Sequence, residues 1–157
     1  YHATLENAIH IVDLMRFYGG EVKEVHAISK FTDPDYESFT TAQLLFERGA
    51  SGMLIGDRSS GQWEENIEIH GGNRSVFIKM PDSITITDAK EQHTTEMTPL
   101  AMGWARSEDK LGFSYAIRHF LDCVKEDRTP LTNAADAFKT HELLDRILRS
   151  AGLPGME

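Results

Sequence analysis

Between Glu21 and Thr87 the sequence falls into six short segments rich in Val, Ile, Phe, Thr or Trp, with turn-forming residues between them. The segments are Glu21 to Phe31, Ser38 to Glu47, Ala50 to Gly56, Trp63 to His70, Arg74 to Lys79 and Ser83 to Thr87. The breaks are Asp33-Pro34-Asp35, Arg48-Gly49, Ser59-Ser60-Gly61, Gly71-Gly72-Asn73 and Pro81-Asp82. This pattern constrains the fold more than any other feature, because parallel neighbours need a crossover of about a dozen residues and these gaps are shorter. A mostly antiparallel open sheet of about six strands is expected.

Helical periodicity flanks the strands. From Ala3 to Tyr18 the residues Leu5, Ala8, Ile9, Val12 and Met15 recur on one face, and Gly19-Gly20 supplies a left-handed stop. A helix over about Asp109 to Asp127 places Phe113, Ala116, Ile117, Phe120, Leu121 and Val124 on one stripe. Another, over about Ala134 to Ala151, does so with Phe138, His141, Leu144, Ile147 and Leu148. Asn133 with Asp136 marks its start, and Gly152 followed by Pro154 its end. The stretch Ala89 to Arg106 has no period, contains Pro99 and Gly103, and is expected to be a long, functional or mobile connection. One helix, a meander of strands and two helices predict an α+β domain over 1–157, with the helices gathered on one sheet face.

The chain's 157 residues suffice for a core without disulfides or metals. No apolar run approaches the ~20 residues that span a bilayer, so no membrane partner is expected. A net charge of -9 argues against nucleic acid, whose phosphates are bound by clustered Lys and Arg. Cys123, the only cysteine, lies in a helical apolar pattern and is expected to pack as a small hydrophobe, which suits a reducing cytoplasm. The chain opens at Tyr1 with helical periodicity at once, and reads as a piece of something longer.

Glu6, His10 and Asp13 lie four and three residues apart on the first helix and share a face. Histidine exchanges a proton near neutral pH, and a neighbouring carboxylate can orient its ring. The same spacing also suits a half-buried helix histidine, with Asp13 paired to Arg16 and Glu6 solvated. Trp104 and Arg106, in the long connection, could line a sugar pocket or simply anchor the loop. Trp63 is expected to pack on a sheet face, the functional alternative being a place at a subunit interface, where tryptophan is enriched. The seven histidines include no two on a short metal-binding spacing with a third ligand, so no metal site is expected; His119 and His141 could meet between the last two helices.

The run Ala8-Ile9-His10-Ile11-Val12-Asp13-Leu14-Met15-Arg16-Phe17, then Gly19-Gly20-Glu21-Val22 and the strand Val22-Lys23-Glu24-Val25-His26-Ala27, resembles the start of the C-terminal domain in the Gfo/Idh/MocA family of oxidoreductases. The likeness continues through Leu45 to Gly52, Trp63 to Gly71, Phe120 to Val124 and Ala135 to Leu144, and so covers nearly the whole chain. It implies a fold like the C-terminal domain of glyceraldehyde-3-phosphate dehydrogenase and a substrate-side role in an NAD- or NADP-dependent oxidoreductase. The substrate would be a sugar, inositol or related polyol.

By the same resemblance, His10 corresponds to the histidine near the nicotinamide. Glu6 stands where many members have an aspartate, and Asp13 matches the motif. The resemblance further implies an N-terminal Rossmann domain as partner and homo-oligomers formed through the sheet. No G-x-G-x-x-G occurs here, so the dinucleotide would belong to that other domain, and this chain alone would be inactive. Two other readings stay open: a non-catalytic assembly module, and a cofactor-independent isomerase or lyase using a histidine-carboxylate pair.

Overall fold

The computed structural model describes residues 3–33, 36–100 and 103–155, with 3–6, 32, 33 and 36 described for backbone only. The elements run α1 (Ala3–Gly19), β1 (Val22–Asp33), β2 (Tyr36–Phe46), β3 (Ser51–Asp57), β4 (Glu65–Gly71), β5 (Arg74–Met80), β6 (Ser83–Asp88), β7 (His93–Met97), α2 (Ser107–Lys110), α3 (Phe113–Lys125) and α4 (Ala134–Ser150). All strand pairs are antiparallel, in a three-stranded sheet ordered β1-β2-β3 and a four-stranded sheet ordered β4-β5-β6-β7. The antiparallel α+β class expected above therefore holds; the strands among the described residues number seven, not about six, and form two sheets rather than one, since the hydrogen bonding divides after β3. The chain forms two compact units, one of residues 1–61 with 131–157 and one of 62–130.

In the first unit α1 and α4 pack against each other and on the β1-β2-β3 sheet. Val12, Val22, Ala42, Leu44, Phe46, Leu54, Leu143, Leu144 and Ile147 form the core, with Ile9, Ile11, Met15, Val25 and Ala27 against it. Strand alternation delivers Ala42, Leu44 and Phe46 to the helix side and turns Gln43 outward. Gly19 lets α1 end close to this core, since a Cβ there would lie 2.5 Å from the Phe46 ring. Gly20 follows with φ +88° and donates its N–H to the Arg16 carbonyl at 2.8 Å, closing the helix as expected.

Side chains of α4 also reach the free edge of β1. Arg146 donates to the Val22 and Lys23 carbonyls at 2.7 and 2.9 Å, and Ser150 Oγ accepts from Ala27 N at 3.0 Å while donating to the Val25 carbonyl at 3.2 Å. An edge strand is thereby blocked against further pairing along this stretch.

The second unit holds β4 to β7 with α2 and α3. Gly72 and Asn73, both at positive φ, form the two-residue turn between β4 and β5, whose register closes on Gly71 and Arg74. Three expectations are corrected here. Part of the supposed long connection is β7, a strand exposed along its whole length that shows no alternation because neither face is buried. The helix expected from Asp109 is split, since Gly112 at φ +83° ends α2 and precedes α3. Trp63 stands ahead of β4 and is exposed rather than packed on a sheet face.

The apolar stripe of α3 also stands at the surface. Phe113, Ile117, Phe120, Leu121 and Val124 are 49–63% exposed, and Cys123 is the residue α3 buries. Periodicity fixes which residues share a face, not whether that face finds a partner within its own chain. Cys123 packs as expected, with its Sγ 3.6 Å from His119 Nε2 one turn earlier.

Candidate functional site

On α1, Val12 is fully buried, and His10, two residues earlier and so about 160° around the axis, is exposed. Exposed Phe17 follows two turns on, with Tyr18 packed edge-on against it at 5.2 Å between ring centroids. The outer side of this helix thus carries an imidazole and two aromatic rings. Glu6 lies on the same helix, and its side chain falls outside the described residues.

Asp13 turns toward α4 instead. Its Oδ1 accepts from Thr140 Oγ1 at 2.5 Å and faces Arg16 Nη1 at 3.5 Å. Arg16 is itself buried and bonded on several sides. Its Nη1 donates to Thr140 Oγ1 at 2.6 Å and to the Asp136 carbonyl at 3.2 Å, and its Nη2 donates to Asp136 Oδ1 at 3.1 Å and Glu21 Oε1 at 3.3 Å. Lys139 Nζ donates to Glu21 Oε1 at 2.9 Å. Asn133, the N-cap of α4, accepts from the N–H groups of Ala135 and Asp136 and so places Asp136 for Arg16.

Burial works against the charge on Arg16, but the hydrogen bonds to Asp136 and Glu21 outweigh it and leave its pKa raised. The Lys139 hydrogen bond is the largest influence on the Glu21 carboxyl, which it holds below the ordinary range with help from Arg16 and against burial. Arg16, Glu21, Lys139, Glu142 and Arg146 line a surface cleft of about 270 Å³ beside this network. The pairing of Asp13 with Arg16 is the structural alternative that helical spacing had offered. Thr140 was missed because its polarity suggests an outward residue, yet it is 2% exposed, and α4 buries Thr140 and Leu143 where Phe138 and His141 were expected.

Trp104 and Arg106 belong to the second unit. Trp104 is 85% exposed. Arg106 pairs with Asp109 at 3.0 Å and with Glu108 at 3.9 Å, at the start of α2. His119 contacts Cys123 on its own helix, and His141 Nδ1 lies 2.9 Å from the carbonyl of Ala137 on its own. Among the described residues no three His, Cys, Asp or Glu side chains converge as a metal centre. None of the described helices is long and apolar enough to cross a membrane. Among the described residues the paired strands are antiparallel, and no glycine-rich turn of the kind that holds a dinucleotide leads from a strand into a helix N-terminus.

Residues 2–77 match the GFO/IDH/MocA C-terminal domain. None of the curated proteins matches the sequence. Among solved structures, an oxidoreductase from Agrobacterium radiobacter in complex with NAD+, L-tartaric acid and magnesium is 22% identical, with TM-score 0.80 over 95% of this chain and 46% of its own. Levoglucosan dehydrogenase in complex with NADH and levoglucosan is 19% identical, with TM-score 0.79 over 94% of this chain and 47% of its own. UDP-N-acetylglucosamine 3-dehydrogenase from Acidithiobacillus ferrooxidans is 18% identical, with TM-score 0.76 over 91% and 44%. At these identities the likeness establishes the fold, and the chain spans about half the length of the proteins it resembles.

Proposed function

Because residues 2–77 match the Gfo/Idh/MocA C-terminal domain, we propose that the chain is the substrate-side half of an NAD- or NADP-dependent oxidoreductase acting on a sugar or related polyol. The observation that carries this reading is the outward-facing His10 on a helix whose remaining sides are fixed by the core and by α4. Oxidising a secondary alcohol removes a hydride and a hydroxyl proton. A nicotinamide held by a separate Rossmann domain supplies the hydride chemistry. The share of this chain is to bind the hydroxyl and to take or return its proton at an imidazole nitrogen of His10.

Glu6, one turn before His10, would orient the ring or the hydroxyl, and Trp104 and Arg106 would contribute to sugar binding. Asp13 would act as a structural member of the site, with its Oδ1 already engaged by Thr140 and Arg16. The lone cysteine suits a reduced, cytoplasmic setting. Support for the sugar class comes from the relatives that bind levoglucosan or are named for a UDP-sugar, and support for a second domain comes from their doubled length.

The test is kinetic. In the intact oxidoreductase carrying this domain, assayed with NAD and NADP over a panel of sugars and polyols, His10→Ala is expected to lower kcat by about 10²- to 10⁴-fold. Full activity in that variant, or turnover by this chain alone without nicotinamide, overturns the reading.

A further inference from the structure

We infer that Thr140 is a positioning residue for the His10 face of α1, an inference that rests on the proton-transfer role proposed for His10. The apolar contacts of Val12, Ile9 and Met15 hold α1 on the sheet, but such contacts are non-directional and resist a few degrees of helix rotation only weakly. The directional contacts on this flank are the Arg16 bonds to Asp136 and the Thr140 hydroxyl, which alone binds two side chains of α1. Arginine can only donate and an ionised carboxylate can only accept, so the single hydroxyl proton must point to Asp13 at 2.5 Å while a lone pair takes Arg16 at 2.6 Å. Both partners lie on α1, three and six residues after His10. Thr140 is buried, so water does not replace it readily.

Behind Thr140, α4 is held to the β1 edge by Arg146 and Ser150, so the frame of the sheet reaches the phase of α1 through the Thr140 hydroxyl together with the Arg16–Asp136 bonds. A rotation of about 10° moves an atom at the periphery of a helix by about 1 Å. Displacement of that size at a reacting centre lowers a rate by as much as about a hundredfold. Valine has nearly the shape of threonine and keeps the packing, but it forms neither bond.

In the intact oxidoreductase, Thr140→Val is expected to lower kcat on the order of ten- to a hundredfold with KM little changed, and Thr140→Ser to restore it. Circular dichroism melts accompany the assays. Should Thr140→Val not fold, Asp136→Asn, which loosens Arg16 while keeping the hydroxyl, is expected to lower kcat in the same direction, and an unchanged kcat there overturns the inference. Loss of activity in His10→Ala with full activity in Thr140→Val overturns the positioning role alone. Full activity in both overturns the role of His10 as well. Loss in Thr140→Val beside a fully active His10→Ala also overturns it, as does a matched fall in kcat and rise in KM that serine does not repair.

Discussion

Arg16 decides the character of the α1–α4 contact. A guanidinium taken out of water must be paired, and this one meets Asp13, Glu21 and Asp136, with Lys139 sharing Glu21 from the far side. The three acids remain 39–47% exposed, so solvent screens each pair and the geometry matters more than the summed charge. One consequence is a dependence on pH. The folded-state pKa of Glu21 lies below its ordinary value of 4.5, so its stabilising contribution is present above about that pH and is lost as pH falls through the folded value. Because Lys139 is the largest cause, Lys139→Met should bring the Glu21 pKa back toward 4.5 and flatten the acid limb of the stability curve below that pH. Urea denaturation of both forms at pH 7 and in steps from pH 5 to 3 checks this, and an equal slope in the two forms would dismiss it. Of this network only Asp13 with Arg16 was legible in the sequence, through the i, i+3 spacing. Thr140 and Asp136 lie more than a hundred positions away, and nothing local marks them as partners.

At the scale of elements, α4 both covers the core and serves as a substitute neighbour for β1. Ser150 occupies two backbone groups of that strand and Arg146 two more, so the strand edge is satisfied by side chains where another strand would otherwise pair. Ser150→Ala leaves Ala27 N without its acceptor. Loss of one such bond is worth about 1 kcal/mol, so amide exchange at Ala27 should quicken roughly fivefold. Exchange at Leu44, inside the core, should stay as it was; unchanged exchange at Ala27 would show the contact to be incidental. The sequence marked the first six strands and the ends of α1 and α4 to within a few residues, because turn residues and glycine caps act locally. It missed β7, whose five exposed residues lack the alternation that burial imposes, and it read through Gly112 because the apolar pattern of α3 masks the break. The phase of α4 was misjudged at Thr140, where a hydroxyl with two bonding partners is buried at a position that hydropathy assigns to solvent.

At the scale of the molecule, the β1-β2-β3 sheet has helices on one face, and its other face carries Ile28, Met53 and Ile55, each more than 60% exposed. The register sets Ile28, Thr41 and Ile55 in one row across the three strands, with Met53 opposite Gln43 in the next, so the apolar side chains form a patch. We propose that this face is covered by a second copy of the chain, in keeping with the homo-oligomers that the sequence resemblance implies. A two-fold interface would set Ile55 near its own symmetry mate, and an ionised side chain there would face its like in a drying contact. Ile55→Asp is therefore expected to weaken self-association by at least about a hundredfold, with little change in melting temperature since Ile55 takes no part in the core. Salt gives an independent check. A chain with net charge -9 repels its own copies, so an apolar association should tighten as ionic strength rises and the repulsion is screened. Sedimentation velocity over a range of concentrations at two salt levels reads both effects. A monomer whose sedimentation does not change with concentration, or an Ile55→Asp chain that associates as well as the parent, would show that this face is not the contact.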